Sequence, residues 1–76
     1  MNRKIYHVTK GQDGEWKGKA VGAARASVSG DRKEDVVRRT AEIAKAQPLG
    51  QVVIHKENGV IQSERTYGDD PGRYKS

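Results

Sequence analysis

Two histidines, His7 and His55, carry the most evident chemistry of this sequence near neutral pH. A zinc site usually takes three or four nitrogen, sulfur or carboxylate ligands. The chain has no cysteine and no His-x-x-x-His spacing. We therefore predict no metal and no cofactor. We expect both histidines on strands, where both can point to one sheet face, and interpret them as structural or surface residues. The alternative is a paired role in binding an anion or a partner, which would depend on pH.

The other catalytic residue types lack the arrangement that catalysis needs. Asp69 and Asp70 are adjacent, but the regular oxygen spacing of a calcium loop is absent. Ser27, Ser29 and Ser63 have no nucleophile-elbow context. None of the nine glycines belongs to a phosphate-binding pattern. We therefore predict that the protein is not an enzyme.

The charge balance is basic but dispersed. Fifteen basic and 10 acidic residues give a net charge of +5 and a sequence pI of about 9.8. Such a charge is typical of proteins that bind nucleic acid or an anionic surface. However, the acidic residues are interleaved with the basic ones and no block of five like charges occurs. This dispersed pattern favours a solvated surface, and an anionic partner remains the alternative.

The elements that must position these residues follow from periodicity and turn chemistry. Alternating strand-like runs, a Gln12-Asp13-Gly14 turn and an Asn58-Gly59 turn predict two hairpins around one helix. The stretch 21–30 is predicted to be a connector with some extended character. Asp31 is expected to cap the helix, with Glu34 completing a capping box. The predicted elements are strands 4–10, 15–20, 51–56 and 60–66, and a helix from Asp31 to Gln47.

This order predicts one α+β domain, ββαββ, over residues 1–70, with a flexible tail at 71–76. The four strands are expected to form an antiparallel sheet of two hairpins, with the helix packed on one face. Trp16 is predicted to be the main core residue, because the chain has no phenylalanine. Lys17 and Lys19 would then point away from Trp16, toward an open sheet face.

The expected location is the cytoplasm. There is no cysteine for disulfides. No apolar run reaches the roughly 18 residues that span a membrane, so no membrane association is expected. The first residues soon alternate between polar and apolar types, unlike a signal peptide.

Several stretches of the chain together resemble the small bacterial family known as domain of unknown function 2188, over residues 5–71. They are His7-Val8, Gly14-Glu15-Trp16, Ala24-Arg25-Ala26-Ser27, Glu42-Ile43-Ala44-Lys45, residues 53–62 and residues 66–71. One departure is Asp31, where threonine is expected at the helix cap. The resemblance implies a compact ββαββ domain of a bacterial or phage-related cytosolic protein. It implies no activity, substrate, cofactor or catalytic residue.

Two functions remain open at this stage. The first is a non-enzymatic interaction module that binds a protein partner, or forms a homodimer, through the open sheet face or an edge strand. The alternative is a nucleic-acid-binding module that uses the basic surface. The residues of the candidate binding face are His7, Lys17, Lys19, Val53, His55 and Arg65.

Overall fold

A computed structural model describes residues 3–68 of the 76-residue chain. It contains β1 (Lys4–Lys10), β2 (Trp16–Ala20), β3 (Val28–Gly30), α1 (Lys33–Lys45), β4 (Leu49–His55) and β5 (Ile61–Gly68). The predicted tail at 71–76 and the Asp69-Asp70 pair lie outside the described residues. Within residues 3–68, no helix combines the length and apolar character that a membrane crossing requires.

The strands form one mixed sheet in the order β3-β2-β1-β4-β5. Both predicted hairpins are present, since β1 pairs antiparallel with β2 and β4 pairs antiparallel with β5. The predicted four-stranded antiparallel sheet in ββαββ order is wrong, because there are five strands and β1 runs parallel to β4. Parallel neighbours need a long crossover, and the connection from β1 to β4 includes α1.

The fifth strand, β3, lies within the stretch that was predicted to be a connector. It pairs antiparallel with β2, with Val28 opposite Gly18 and Gly30 opposite Trp16. Val28 is buried and belongs to the core. The strand propensity of these three residues is too weak to predict β3. The strand is ordered because the Val28 side chain is buried in the core.

Helix α1 is shorter than predicted, and its predicted cap is wrong. The helix begins at Lys33, and the N-cap position is Arg32, which makes no side-chain capping hydrogen bond. Asp31 therefore precedes the cap instead of occupying it. The Ala46 and Gln47 amides donate to the carbonyls of the last turn, and Pro48 follows, which cannot continue a helix.

The core lies between α1 and one face of the sheet. Trp16 is only 6% exposed, which confirms its predicted place in the core. From the helix, Val36, Thr40, Ala41 and Ala44 are buried, as their spacing indicates. Two strand glycines allow the helix to approach closely, since a Cβ atom on Gly18 would overlap Thr40 and one on Gly50 would overlap Ala44.

Candidate functional site

The sheet face opposite α1, here called the open face, is defined by the strand register. His7 of β1 lies beside Lys19 of β2 and Val53 of β4, and Val53 lies beside Glu64 of β5. Their chain neighbours Tyr6 and Val52 are buried beneath the helix, so this row points the other way.

The register brings five of the six residues of the predicted binding face to the open face. They are His7, Lys17, Lys19, Val53 and, through its contact with His7, His55. Arg65 does not join them. It pairs with the core residue Val52 and therefore lies on the helix side of the sheet.

The open face has neither a broad apolar patch around Val53 nor a continuous basic stripe. Val53 is only 6% exposed, so its side chain is already covered by the polar residues around it. The ammonium group of Lys17 lies 3.5 Å from the Asp13 carboxylate. The carboxylate of Glu64 shares the row of Lys19. The surface around Val53 therefore offers little apolar area for a protein partner and a divided charge for a polyanion, although Ile61, opposite His55, is 52% exposed.

His7 and His55 contact each other across β1 and β4. His7 Nδ1 lies 2.8 Å from His55 Nε2, and the rings stack with centroids 5.1 Å apart. His55 Nδ1 lies 2.9 Å from the Gly59 carbonyl oxygen, which can only accept. In the neutral pair His55 Nδ1 therefore donates to Gly59, and His7 Nδ1 donates to His55 Nε2. Protonating both rings would place two donors face to face and remove this hydrogen bond.

Acid is expected to destabilise the fold through this pair. Burial and the neighbouring His55 lower the pKa of His7, and Glu64 opposes them only in part. Lys19 is the charged neighbour from β2. In the unfolded chain His7 titrates near about 6.5, so just below that pH the unfolded chain binds more protons than the folded one. The free energy of unfolding should therefore be constant above about pH 7.5 and lower at about pH 5.

Urea unfolding at both pH values measures this, with the His7→Gln variant as the control. Glutamine does not titrate, so the variant should lose much of the pH dependence. An equal fall in the midpoint for both proteins would contradict an origin in His7.

A groove of about 500 Å³, here called the α1–β5 groove, lies between α1 and β5. It arises because α1 leaves the outer strand incompletely covered. Its apolar lining comes from Val37, Ala41, Ile54 and Tyr67. Of these, Ala41 and Ile54 are buried, whereas Val37 and Tyr67 are half-buried and accessible from the groove.

The charged border of the α1–β5 groove is predominantly cationic. Lys33, Arg38, Lys45 and Arg65 line it, against the carboxylates of Glu34 and Glu42. Lys33 donates to the Gln62 side chain and lies 5.0 Å from the centroid of a Trp16 ring. Lys45 lies 5.5 Å from the Tyr67 ring centroid.

Strand β5 forms one edge of the sheet, beside the groove. It pairs with β4 on one side only, so part of its backbone N–H and C=O groups faces outward without a strand partner. Residues 61–66 are exposed throughout. At eight residues β5 is far longer than the opposite edge strand, β3, which has three.

A family model described as an uncharacterized protein conserved in bacteria (DUF2188) matches residues 6–67. The chain belongs to the DUF2188 family. The resemblance found in the sequence is thereby confirmed. No curated protein and no solved structure matches the chain.

The part of the DUF2188 domain that the structure describes holds no cluster of three or more histidine, cysteine, aspartate or glutamate side chains able to bind a metal ion. His7 and His55 form a hydrogen-bonded pair, and two nitrogens alone are fewer ligands than zinc sites use.

Sequence reasoning missed the groove of the DUF2188 domain. Its one sequence signal is the alternation in β5, which places Ser63, Arg65 and Tyr67 on a single face. That alternation does not tell which face meets the helix. The answer comes from the pairing of Arg65 with Val52.

Proposed function

We propose that this DUF2188 domain is a non-enzymatic protein-interaction module that binds an extended segment of another protein as an additional strand alongside β5. The observation that carries the proposal is the juxtaposition of a long exposed edge strand with the α1–β5 groove. An added strand gains affinity from main-chain hydrogen bonds and specificity from side chains that enter neighbouring pockets.

The edge at β5 suits strand addition better than the edge at β3. Three residues of β3 offer few main-chain hydrogen bonds, and Val28 already belongs to the core. The eight residues of β5 span about 25 Å at roughly 3.3 Å per residue. Alternate side chains of an added strand would also point toward the helix side of the sheet, where the apolar lining of the groove lies.

A second copy of the chain is a poor occupant of this edge. In an antiparallel pair, directly opposed residues lie on the same sheet face, so their positions along β5 differ by an even number. When two copies of β5 pair about a two-fold axis, one residue at the centre is therefore opposed by the same residue of the other copy. The two registers that overlap most of β5 centre on Glu64 or on Arg65. Each register opposes two like charges directly, which is destabilising. The charges of β5 therefore favour a different partner over self-association.

The protein is expected to stay monomeric at concentrations up to about 0.3 mM. Any dimer would then have a dissociation constant above that concentration. The Glu64→Thr variant should associate more strongly, by up to about fivefold, because a directly opposed like-charge pair costs about 0.2–1 kcal/mol. Sedimentation equilibrium measures both proteins. The control is Glu57→Thr, which removes the same charge from the exposed turn before β5. A stable wild-type dimer, or equal association of the two variants, would contradict the register argument.

Strand addition is tested with peptides selected from a linear random library of about twelve residues, long enough to span β5. A selected peptide is titrated into the ¹⁵N-labelled full chain. Changes in amide chemical shift and slowed hydrogen exchange should concentrate in β5 and on the side of α1 that lines the groove. N-methylation of alternate peptide amides should abolish binding when it blocks the bonds to β5. Changes centred on β3 or on the open face, or a library without binders, would refute the proposal.

A further inference from the structure

We infer that the segment bound at β5 is acidic, with carboxylates flanking an aliphatic side chain that enters the α1–β5 groove. This inference rests on the proposed function and adds the chemistry of the partner. A strand added to β5 continues its pleat, so alternate side chains of the partner point toward α1. Those side chains meet the apolar lining and its cationic border.

The lining selects an aliphatic group for the middle of this segment. Val37 and Tyr67 are half-buried and present apolar atoms to the groove beside the buried Ile54. An aliphatic side chain would remove this surface from water, which contributes roughly 25 cal/mol for each Å² buried.

Cationic side chains follow the length of β5 on the helix side. Lys33 contacts Gln62 near the start of the strand, Arg65 belongs to the strand itself, and Lys45 lies over Tyr67 near its end. The contacts found for Lys33 and Lys45 are with a neutral amide and with aromatic rings, which leave their charge uncompensated. Among the described residues, Arg65 makes no ion pair.

The three remaining charged helix residues of the lining, Glu34, Arg38 and Glu42, reduce this balance but do not reverse it. Arg38 is paired with Asp35 at 3.1 Å, and the groove also contains the carboxylates of Glu34 and Glu42. Because Asp35 neutralises Arg38, the three cations Lys33, Lys45 and Arg65 against two carboxylates leave a net charge of +1. Carboxylates of a partner can therefore form charge-assisted hydrogen bonds with Lys33, Lys45 or Arg65, and Arg65 can bind one through two parallel bonds.

A peptide fits these features better than a nucleic acid does. Glu34 and Glu42 would repel a continuous line of phosphates, whereas a peptide can leave uncharged side chains at those positions. The outward N–H and C=O groups of β5 pair with another peptide backbone. Nucleic-acid binding is thus an outcome that the experiment must be able to detect.

The test compares a labelled DNA duplex and three labelled ten-residue peptides by fluorescence polarisation with the full chain. The peptides are an alternating valine–glutamate peptide, an alternating valine–lysine peptide and the valine–glutamate peptide N-methylated at alternate amides. The acidic peptide should bind at least about tenfold more tightly than the basic one, because close complementary charges guide and hold the complex. Its affinity should fall as salt is raised from about 50 to about 300 mM.

Reversing one charge localises the effect. Arg65→Glu should weaken binding of the acidic peptide by about tenfold or more and strengthen binding of the basic peptide. The control is Arg39→Glu, which makes the same charge change on the opposite side of α1, near β3, and should alter affinity less than about twofold. Arg65→Gln, with a smaller expected loss, guards against misfolding of the charge-reversed variant, and thermal unfolding checks all three.

The outcomes separate the two proposals. Equal binding of acidic and basic peptides, both blocked by N-methylation, would refute the acidic class while strand addition survives. Binding unaffected by N-methylation would refute strand addition itself. Binding of a labelled DNA duplex that is tighter than that of the acidic peptide, and is lost in Arg65→Glu, would overturn the inference in favour of nucleic acid. Equal effects of Arg65→Glu and Arg39→Glu would refute the role of the groove.

Discussion

Replacing Gly50 with alanine is expected to remove a large part of the free energy of unfolding of the protein. Gly50 is buried in β4, where the backbone of α1 passes directly over it. A Cβ atom on Gly50 would overlap the Ala44 carbonyl oxygen and would lie 2.9 Å from its carbonyl carbon. These are backbone atoms of the last helical turn, so no change of rotamer can relieve the clash. Helix and strand would have to separate.

The expected loss is large compared with the total stability. Overpacking typically costs about 1–3 kcal/mol and occasionally more. A core of this size rarely supplies more than about 3–5 kcal/mol. Urea unfolding followed by circular dichroism measures the change as a shift of the midpoint.

Gly30→Ala provides the matched control for the Gly50 variant. Gly30 is also a strand glycine near α1, but a Cβ atom there would lie 3.4 Å from Val36 Cγ2, a side-chain methyl that can shift slightly. We expect its free energy of unfolding to change by less than about 0.5 kcal/mol. If both variants unfolded at the wild-type midpoint, the close approach of α1 to β4 would be wrong.

The two hairpins were predictable because they depend on local turn chemistry. Gly14 and Gly59 have positive φ angles of 86° and 91°, the conformation that Asp-Gly and Asn-Gly pairs favour between strands. The helix was predictable for a similar reason, since Val36, Thr40 and Ala44 recur at helical spacing. In each case the signal extends over only a few residues.

The sheet topology was not predictable, because it depends on contacts between segments that are distant in the chain. Alternation shows that β1 and β4 are strands, but it does not show that they are neighbours or that they run parallel. Strand β3 depends on its pairing with β2 and on burial of Val28. The Asp31 cap failed for a local reason: Arg32 occupies the N-cap with an extended backbone, so the chain turns into the helix one residue later than the sequence indicates.

The candidate site was only partly accessible from the sequence. Once Trp16 is placed in the core, alternation places Lys17 and Lys19 on the open face, and the register agrees. The same logic groups Arg65 with Ser63 and Tyr67 but does not orient that group relative to the helix. The orientation requires the β4–β5 register, including its irregularity at Ile54 and His55. The groove further requires the position of α1 over the sheet, which no short-range pattern encodes.

Replacing Trp16 with alanine is expected to cost about 3–5 kcal/mol, the usual range for removing a large buried aromatic. The indole is the largest side chain of a core that otherwise consists mainly of valine and alanine and contains no phenylalanine. Its neighbours are held by strand pairing, since Lys10 and Gly30 flank it in the sheet. They cannot collapse into the space without breaking backbone hydrogen bonds. The variant should therefore be largely unfolded in the absence of denaturant.

Two further variants show whether the loss comes from core volume. Trp16→Phe keeps an aromatic ring in the same position and should retain a cooperative transition at a lower urea midpoint. Tyr67→Ala removes an aromatic side chain that is only half-buried and should cost less than half as much as Trp16→Ala, because less apolar area leaves the protein interior. Circular dichroism must follow the transitions, since Trp16 is the only tryptophan. A Trp16→Ala protein as stable as Tyr67→Ala would show that the indole does not anchor α1 to the sheet, and the groove that α1 forms with β5 would then have no fixed shape for a partner to recognise.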